Sequence, residues 1–184
     1  NAKNPHFRSY RGYYYLALSG VEEPLSTHAD HFLSNFADGQ AAYSKGAVFL
    51  GLLNYIVGQK IFDKAMLSYY NKWAFKHPNP NDVIRVFEKE SGLELDWFKE
   101  YFVQTVKRID YSIVDVVNSS KTSTDSIVIT AISNEIAQQN VGKKASGCTI
   151  SILNKGTMPM PLDVVVTYTK NGKTATACYH IPSN

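Results

Sequence analysis

The sequence predicts an α+β chain in two parts, a helical array over 1–109 followed by an antiparallel β-sandwich over 110–184. Two observations predict this. Up to Arg108 the apolar residues recur at three- and four-residue spacings between cap and breaker signals, and from Ile109-Asp110-Tyr111 onward they alternate in β-branched runs parted by turn residues. A third lies near the end of the chain, where Asn171-Gly172 separates LDVVVTYTK from KTATACYH, the strongest hairpin signal present.

The first helix starts at Asn4-Pro5, a capping side chain ahead of proline, and runs to Gly20. Its tyrosines (Tyr10, Tyr13, Tyr14, Tyr15) at helical spacing read as the wall of a core. Glu22-Glu23-Pro24 breaks it. A 17-residue polar stretch, PLSTHADHFLSNFADGQ, follows and carries His28 and His31. Ordered loops of that length often line sites.

Next comes QAAYSKGAVFLGLLNYIVG, Gln40 to Gly58, whose apolar run predicts a buried helix ended by Gly58. Gly46 and Gly51 leave one side of it small enough for a second helix to approach, and its first turn carries Tyr43 and Lys45. The helix after it has Ile61, Phe62, Ala65, Met66, Tyr69 and Trp73 on one stripe and ends at Pro78-Asn79-Pro80. Asn81 or Asp82 then caps a helix that stops at Gly92, and Asp96 caps another.

In the second part, YSIVDVV, SIVITAIS, CTISIL and LDVVVTYT are separated by Asn118-Ser119-Ser120, Asn154-Lys155-Gly156 and Asn171-Gly172. Five or six strands fall short of the roughly seven that a complete sandwich needs, so an incomplete domain is expected. Cys148 and Cys178 both lie in this part; they could pair across strands or stay as small buried hydrophobes.

The 184 residues are 44% hydrophobic, enough for a sizeable core. Split after Asp110, the first part carries 13 basic and 12 acidic side chains and the second 6 and 4. Neither part has a concentrated positive field, which argues against a nucleic-acid partner. With no 18-residue apolar run and no charged-then-apolar leader, no membrane-spanning segment is expected, and the compartment is not legible.

No complete catalytic constellation is visible. His28 and His31 are three apart with Asp30 between them, which is neither the spacing nor the glutamate of H-E-x-x-H, and His6, His77 and His180 stand in unrelated contexts. Neither a serine elbow nor a phosphate-cradling glycine loop is present. From spacing alone, Tyr43 reads as a packing residue at a helix start.

Tyr43-Ser44-Lys45-Gly46-Ala47, the step from Gly58 to Phe62, Tyr69-Tyr70, Ser91-Gly92-Leu93-Glu94-Leu95-Asp96-Trp97-Phe98 and Asp110-Tyr111 come in the order of the aminopeptidase N-like zinc metallopeptidases. Over residues 25 to 115 the chain resembles that family, and Met158-Pro159-Met160-Pro161 ahead of a strand and hairpin is similar to the family's sandwich. The resemblance implies that the helical part is the C-terminal half of a thermolysin-like catalytic domain.

It also implies that the H-E-x-x-H histidines, the catalytic glutamate and the third zinc ligand belong to a preceding half absent here. Zinc is then a cofactor of the parent enzyme and is not expected in this chain. Tyr43 matches the family's catalytic tyrosine, which hydrogen-bonds the oxyanion formed at the scissile carbonyl. His28 falls near a histidine loop that borders the substrate cleft in relatives, with H-A-D-H where they have S-H-P.

The function expected on this resemblance is that of a piece of a zinc-dependent aminopeptidase, inactive alone. Its substrates are peptides, and apolar faces left open by the absent half favour self-association. The alternative is a non-catalytic helical plus sandwich module that binds a protein, peptide or glycan.

Overall fold

The computed structural model describes residues 4–118, 126–132, 147–170 and 173–182. They divide into two compact units, Asn1–Val106 and Lys107–Asn184. The first holds six α-helices and the second two small sheets. A helical array followed by sandwich-like strands is the fold class that the sequence predicts.

In the helical unit, α1 (Phe7–Leu18) follows Asn4, whose Oδ1 accepts the His6 amide at 2.8 Å. It leaves the helix through Gly20 at φ +76, a conformation that glycine adopts without steric cost. The tyrosines of α1 do not form a single core wall. Tyr13 packs inward with its ring 5.8 Å from that of Phe102, while Tyr14 and Tyr15 are exposed. A helix cannot turn four tyrosines at positions 10, 13, 14 and 15 to one side.

After a 3₁₀ turn at Ala29–His31, α2 (Asn35–Gly39) opens under Ser34, whose Oγ accepts the Ala37 amide. The backbone continues helically through a π turn at Gln40–Lys45 into α3 (Gly46–Val57). The polar stretch therefore supplies the first turns of this helix, which starts earlier than its apolar run. Only one side of α3 is buried, through Val48, Leu53 and Val57, with Leu50 and Tyr55 open to solvent. The predicted buried helix is amphipathic.

Gly58 at φ +80 turns the chain directly into α4 (Gln59–Trp73). The next helix, α5 (Pro80–Ser91), is capped by Asn79 in a reciprocal capping box with Asp82, rather than by Asn81 or Asp82. Proline at the first helical position places the cap one residue before it. Gly92 ends α5 in the left-handed region. The last helix of the unit, α6 (Asp96–Val103), has no side-chain cap; Asp96 pairs with Lys99 instead. Phe49, Phe98 and Phe102 form a stacked cluster between α3 and α6, and Phe62 meets Phe87 between α4 and α5.

The second unit holds β1 (Tyr111–Asn118), β2 (Ser126–Ile132), β3 (Gly147–Asn154), β4 (Leu162–Lys170) and β5 (Lys173–Ile181). One sheet has the order β1-β3-β2 and the other pairs β4 with β5. The β1–β3 and β4–β5 pairs are antiparallel, but β2 runs parallel to β3, which hydrophobic alternation cannot reveal. Lys170 faces Lys173 across the β4–β5 hairpin; its turn, Asn171-Gly172, lies outside the described residues, as do Ser119 and Ser120 of the turn expected after β1.

Ile150, Ile152, Met158, Met160 and Pro161 are buried among the described residues of this unit. The Tyr111 hydroxyl accepts the Met160 amide at 2.9 Å, so the Met-Pro segment is tied to the start of β1.

Candidate active site

Tyr43 sits in the middle of the π turn with its side chain 82% exposed. Its phenol has no hydrogen bond, ion pair or ring contact among the described residues. At the π turn the Gly46 amide reaches back to the carbonyls of Ala41 and Tyr43. Such one-turn widenings are rare and recur at functional positions.

Two residues further on, Lys45 is 1% exposed. Residues two apart on a helix lie on opposite sides, so a phenol that faces solvent and an ammonium that faces inward are compatible at this spacing. Lys45 Nζ lies 2.9 Å from Glu22 Oε1, with both side chains closed off from solvent, and 3.4 Å from the Glu23 carbonyl. The Tyr13 and Phe102 rings stand 5.9 and 5.7 Å from the same nitrogen. A charge this buried needs such a partner, since an unpaired one would carry several kcal/mol of desolvation.

The segment that supplies Glu22 is held in turn. Glu23 Oε2 accepts the Leu33 amide at 2.9 Å, and the Ser26 amide donates to the Val103 carbonyl at 3.1 Å. On its other side the π turn meets α1 at Gly12, where an added β-carbon would fall 2.3 Å from Ser44 Oγ and 2.5 Å from Gln40 Oε1. Gly51 receives the Tyr10 hydroxyl in the same way, whereas Gly46 has only its own helix nearby. Close approach is thus made by a glycine on the partner helix, α1, as well as by Gly51.

His28 caps the 3₁₀ turn, its Nδ1 accepting the Asp30 amide at 3.3 Å, with its ring 5.5 Å from that of His31. Its side chain is largely exposed. No hydrogen bond, ion pair or ring contact among the described residues joins it to Tyr43.

Zinc does not fit the side chains gathered here. Among the described residues, the group of three able to converge on a metal is Glu88, Glu94 and Asp96. These are carboxylates without a histidine or cysteine, unlike the nitrogen and sulfur sets that zinc prefers. Glu88 already accepts the Leu95 amide, Glu94 the Asp96 amide, and Asp96 pairs with Lys99. Glu88 and Asp96 also line a cavity of about 200 Å³ with Asn81, Arg85 and Lys99, and neither Tyr43 nor His28 is among its lining residues.

The family model for the peptidase family M1 domain matches residues 18–104, from the end of α1 to the end of α6. The helical unit is similar to the M1 domain over those residues. No curated protein matches the chain. The M1 match takes in Glu22, His28, the π turn with Tyr43 and Lys45, and all of α3 to α6. Peptidases of the M1 family are generally zinc-dependent hydrolases, and it is to their domain that this stretch is similar.

Two parts of the candidate site are not marked by any contiguous motif, the Glu22–Lys45 pair and the seat at Gly12. The sequence carries no signal for the first, because a lysine beside an exposed tyrosine can be solvated or buried. Which acid serves it depends on tertiary contact over 23 residues.

Proposed function

We propose that this chain is part of a zinc-dependent aminopeptidase and that Tyr43 is its oxyanion donor. The observation that carries the reading is the exposed, uncommitted phenol of Tyr43, presented from a π turn whose opposite face is anchored by a buried ion pair, within the M1-matching stretch. With its backbone held in this way, the donor has only its side-chain torsions to set as negative charge develops on the scissile carbonyl oxygen. The removal of one such donor typically costs about 10²–10³ in turnover.

On this reading the zinc ligands come from outside the residues gathered here. His28, at the surface 15 residues before Tyr43, borders the cleft in which the peptide lies. The exposed Phe36, Leu50 and Tyr55 of α2 and α3, together with Phe7, Tyr14 and Leu18 of α1, support self-association of the isolated chain, since apolar area of this kind favours burial. Light scattering at increasing concentration is expected to show oligomers; a monomer throughout would remove that proposal.

The deciding experiment is Tyr43→Phe in the complete aminopeptidase, assayed on aminoacyl anilides. Turnover is expected to fall about 10²–10³ with the Michaelis constant nearly unchanged, because the lost bond exists only in the transition state. Unchanged turnover removes Tyr43 from the reaction. The 184-residue chain alone, supplied with zinc, is expected to be inert on the same substrates.

A further inference from the structure

We propose that the buried Glu22–Lys45 ion pair is a positioning device that locks the π turn and thereby fixes the side of the helix from which Tyr43 projects. The inference rests on the reading of Tyr43 as the oxyanion donor, but its structural half can be tested without it.

A π turn has poorer hydrogen-bond geometry than an α-helix and persists where its surroundings hold it. Three contacts hold this one. Lys45 ends the turn and is drawn inward to Glu22 Oε1 at 2.9 Å, Glu22 sits on a segment fixed by the Glu23–Leu33 and Ser26–Val103 hydrogen bonds, and Ser44 and Gln40 are seated on Gly12 of α1. If the turn relaxed to a regular α-helix, residues before and after it would rotate against one another by roughly 100°, the rotation of one residue. Tyr43 and Lys45 could then no longer keep their present sides of the helix relative to α3.

Stability alone is a weak reason for such a pair. A buried ion pair is often no better than two well-packed apolar side chains of the same volume, whereas it is directional and tolerates one register. The Tyr13 and Phe102 rings over Lys45 Nζ make that register narrower still, since they admit the ammonium from the side of the π turn.

The test uses the full 184-residue chain with ¹³C-labelled tyrosine, the Tyr43 signal being assigned through Tyr43→Phe. The double variant Glu22→Gln/Lys45→Met removes both charges while nearly keeping both volumes. It is expected to retain the melting temperature to within a few degrees, yet to move and broaden the Tyr43 ring signal and to shift the Gly46 amide. A folded double variant with both signals at their original positions overturns the proposal, because the pair would then only fill space.

Should the double variant fail to fold, native-state hydrogen exchange on the unaltered chain decides. The Gly46 amide is expected to exchange as slowly as that of Leu53; exchange about 100-fold faster, the mark of a turn that opens locally, overturns the proposal. Loss of the register with no effect of Tyr43→Phe on turnover would instead strike the catalytic reading and leave the positioning result standing.

Discussion

A β-carbon on Gly12 would stand 2.3 Å from Ser44 Oγ and 3.0 Å from Ser44 Cβ, so α1 and the π turn touch at a point with no room for a methyl group. Ser44 Oγ can rotate away, at the cost of its 2.7 Å hydrogen bond to Gln40 Oε1, but its Cβ cannot. Overpacking of this kind costs about 1–3 kcal/mol, against a gain of about 1 kcal/mol from replacing glycine by alanine in a helix. Gly12→Ala is expected to lower the melting temperature of the helical unit. Gly39→Ala is the control: nothing lies within 4 Å of the added carbon and the backbone is helical, so that variant is expected to melt higher.

Gly156 makes a tighter contact in the sheet unit. An added carbon there would meet the Arg108 carbonyl oxygen at 2.2 Å and the Asp110 nitrogen at 2.6 Å, both backbone atoms that no rotamer change can move. The turn's own hydrogen bonds, from the Lys155 and Gly156 amides to the Asp110 carbonyl, would have to part. Gly156→Ala is expected to cost about 3 kcal/mol, the upper end for overpacking, and to expose the sheet unit to limited proteolysis while α1–α6 stay protected.

Glu90 gives the helical unit an acid-side pH dependence. Hydrogen bonds from Lys64, first, and from Ser68 hold its carboxyl below the usual carboxylate range. The folded value is below the unfolded one, so the contribution is fully present above the unfolded value, 4.5, and is lost as pH falls through the folded one. Glu90→Gln is expected to flatten the decline in melting temperature below pH 4.5, with little change at pH 7. An identical acid limb in the variant would show that the α4–α5 contact does not depend on this charge.

Tyr43 should be separable from folding. A side chain 82% exposed, with no hydrogen bond or ring contact among the described residues, contributes within about 0.5 kcal/mol. Tyr43→Phe and Tyr43→Ala are both expected to melt with the parent chain in calorimetry. A drop of several degrees in either would mean that the ring packs in solution and would weaken its reading as a free donor.

The sequence by itself determined the two-part order, the helix stops at Gly58 and Gly92, the β4–β5 hairpin and the succession of motifs around Tyr43, because each is carried by residues adjacent in the chain. Local chemistry is enough where a glycine alone tolerates a positive φ or where alternation spans eight residues. Tertiary structure decided what depends on distant partners. The parallel pairing of β2 with β3 and the seat of Ser44 on Gly12 are contacts of that kind.

The Tyr43 side of the candidate site was legible because its motif is contiguous. The Glu22–Lys45 side was not, since a lysine in a sequence looks the same whether it is solvated or buried against an acid 23 residues away. Only packing, which closes the Tyr13 and Phe102 rings over that charge, determines which it is.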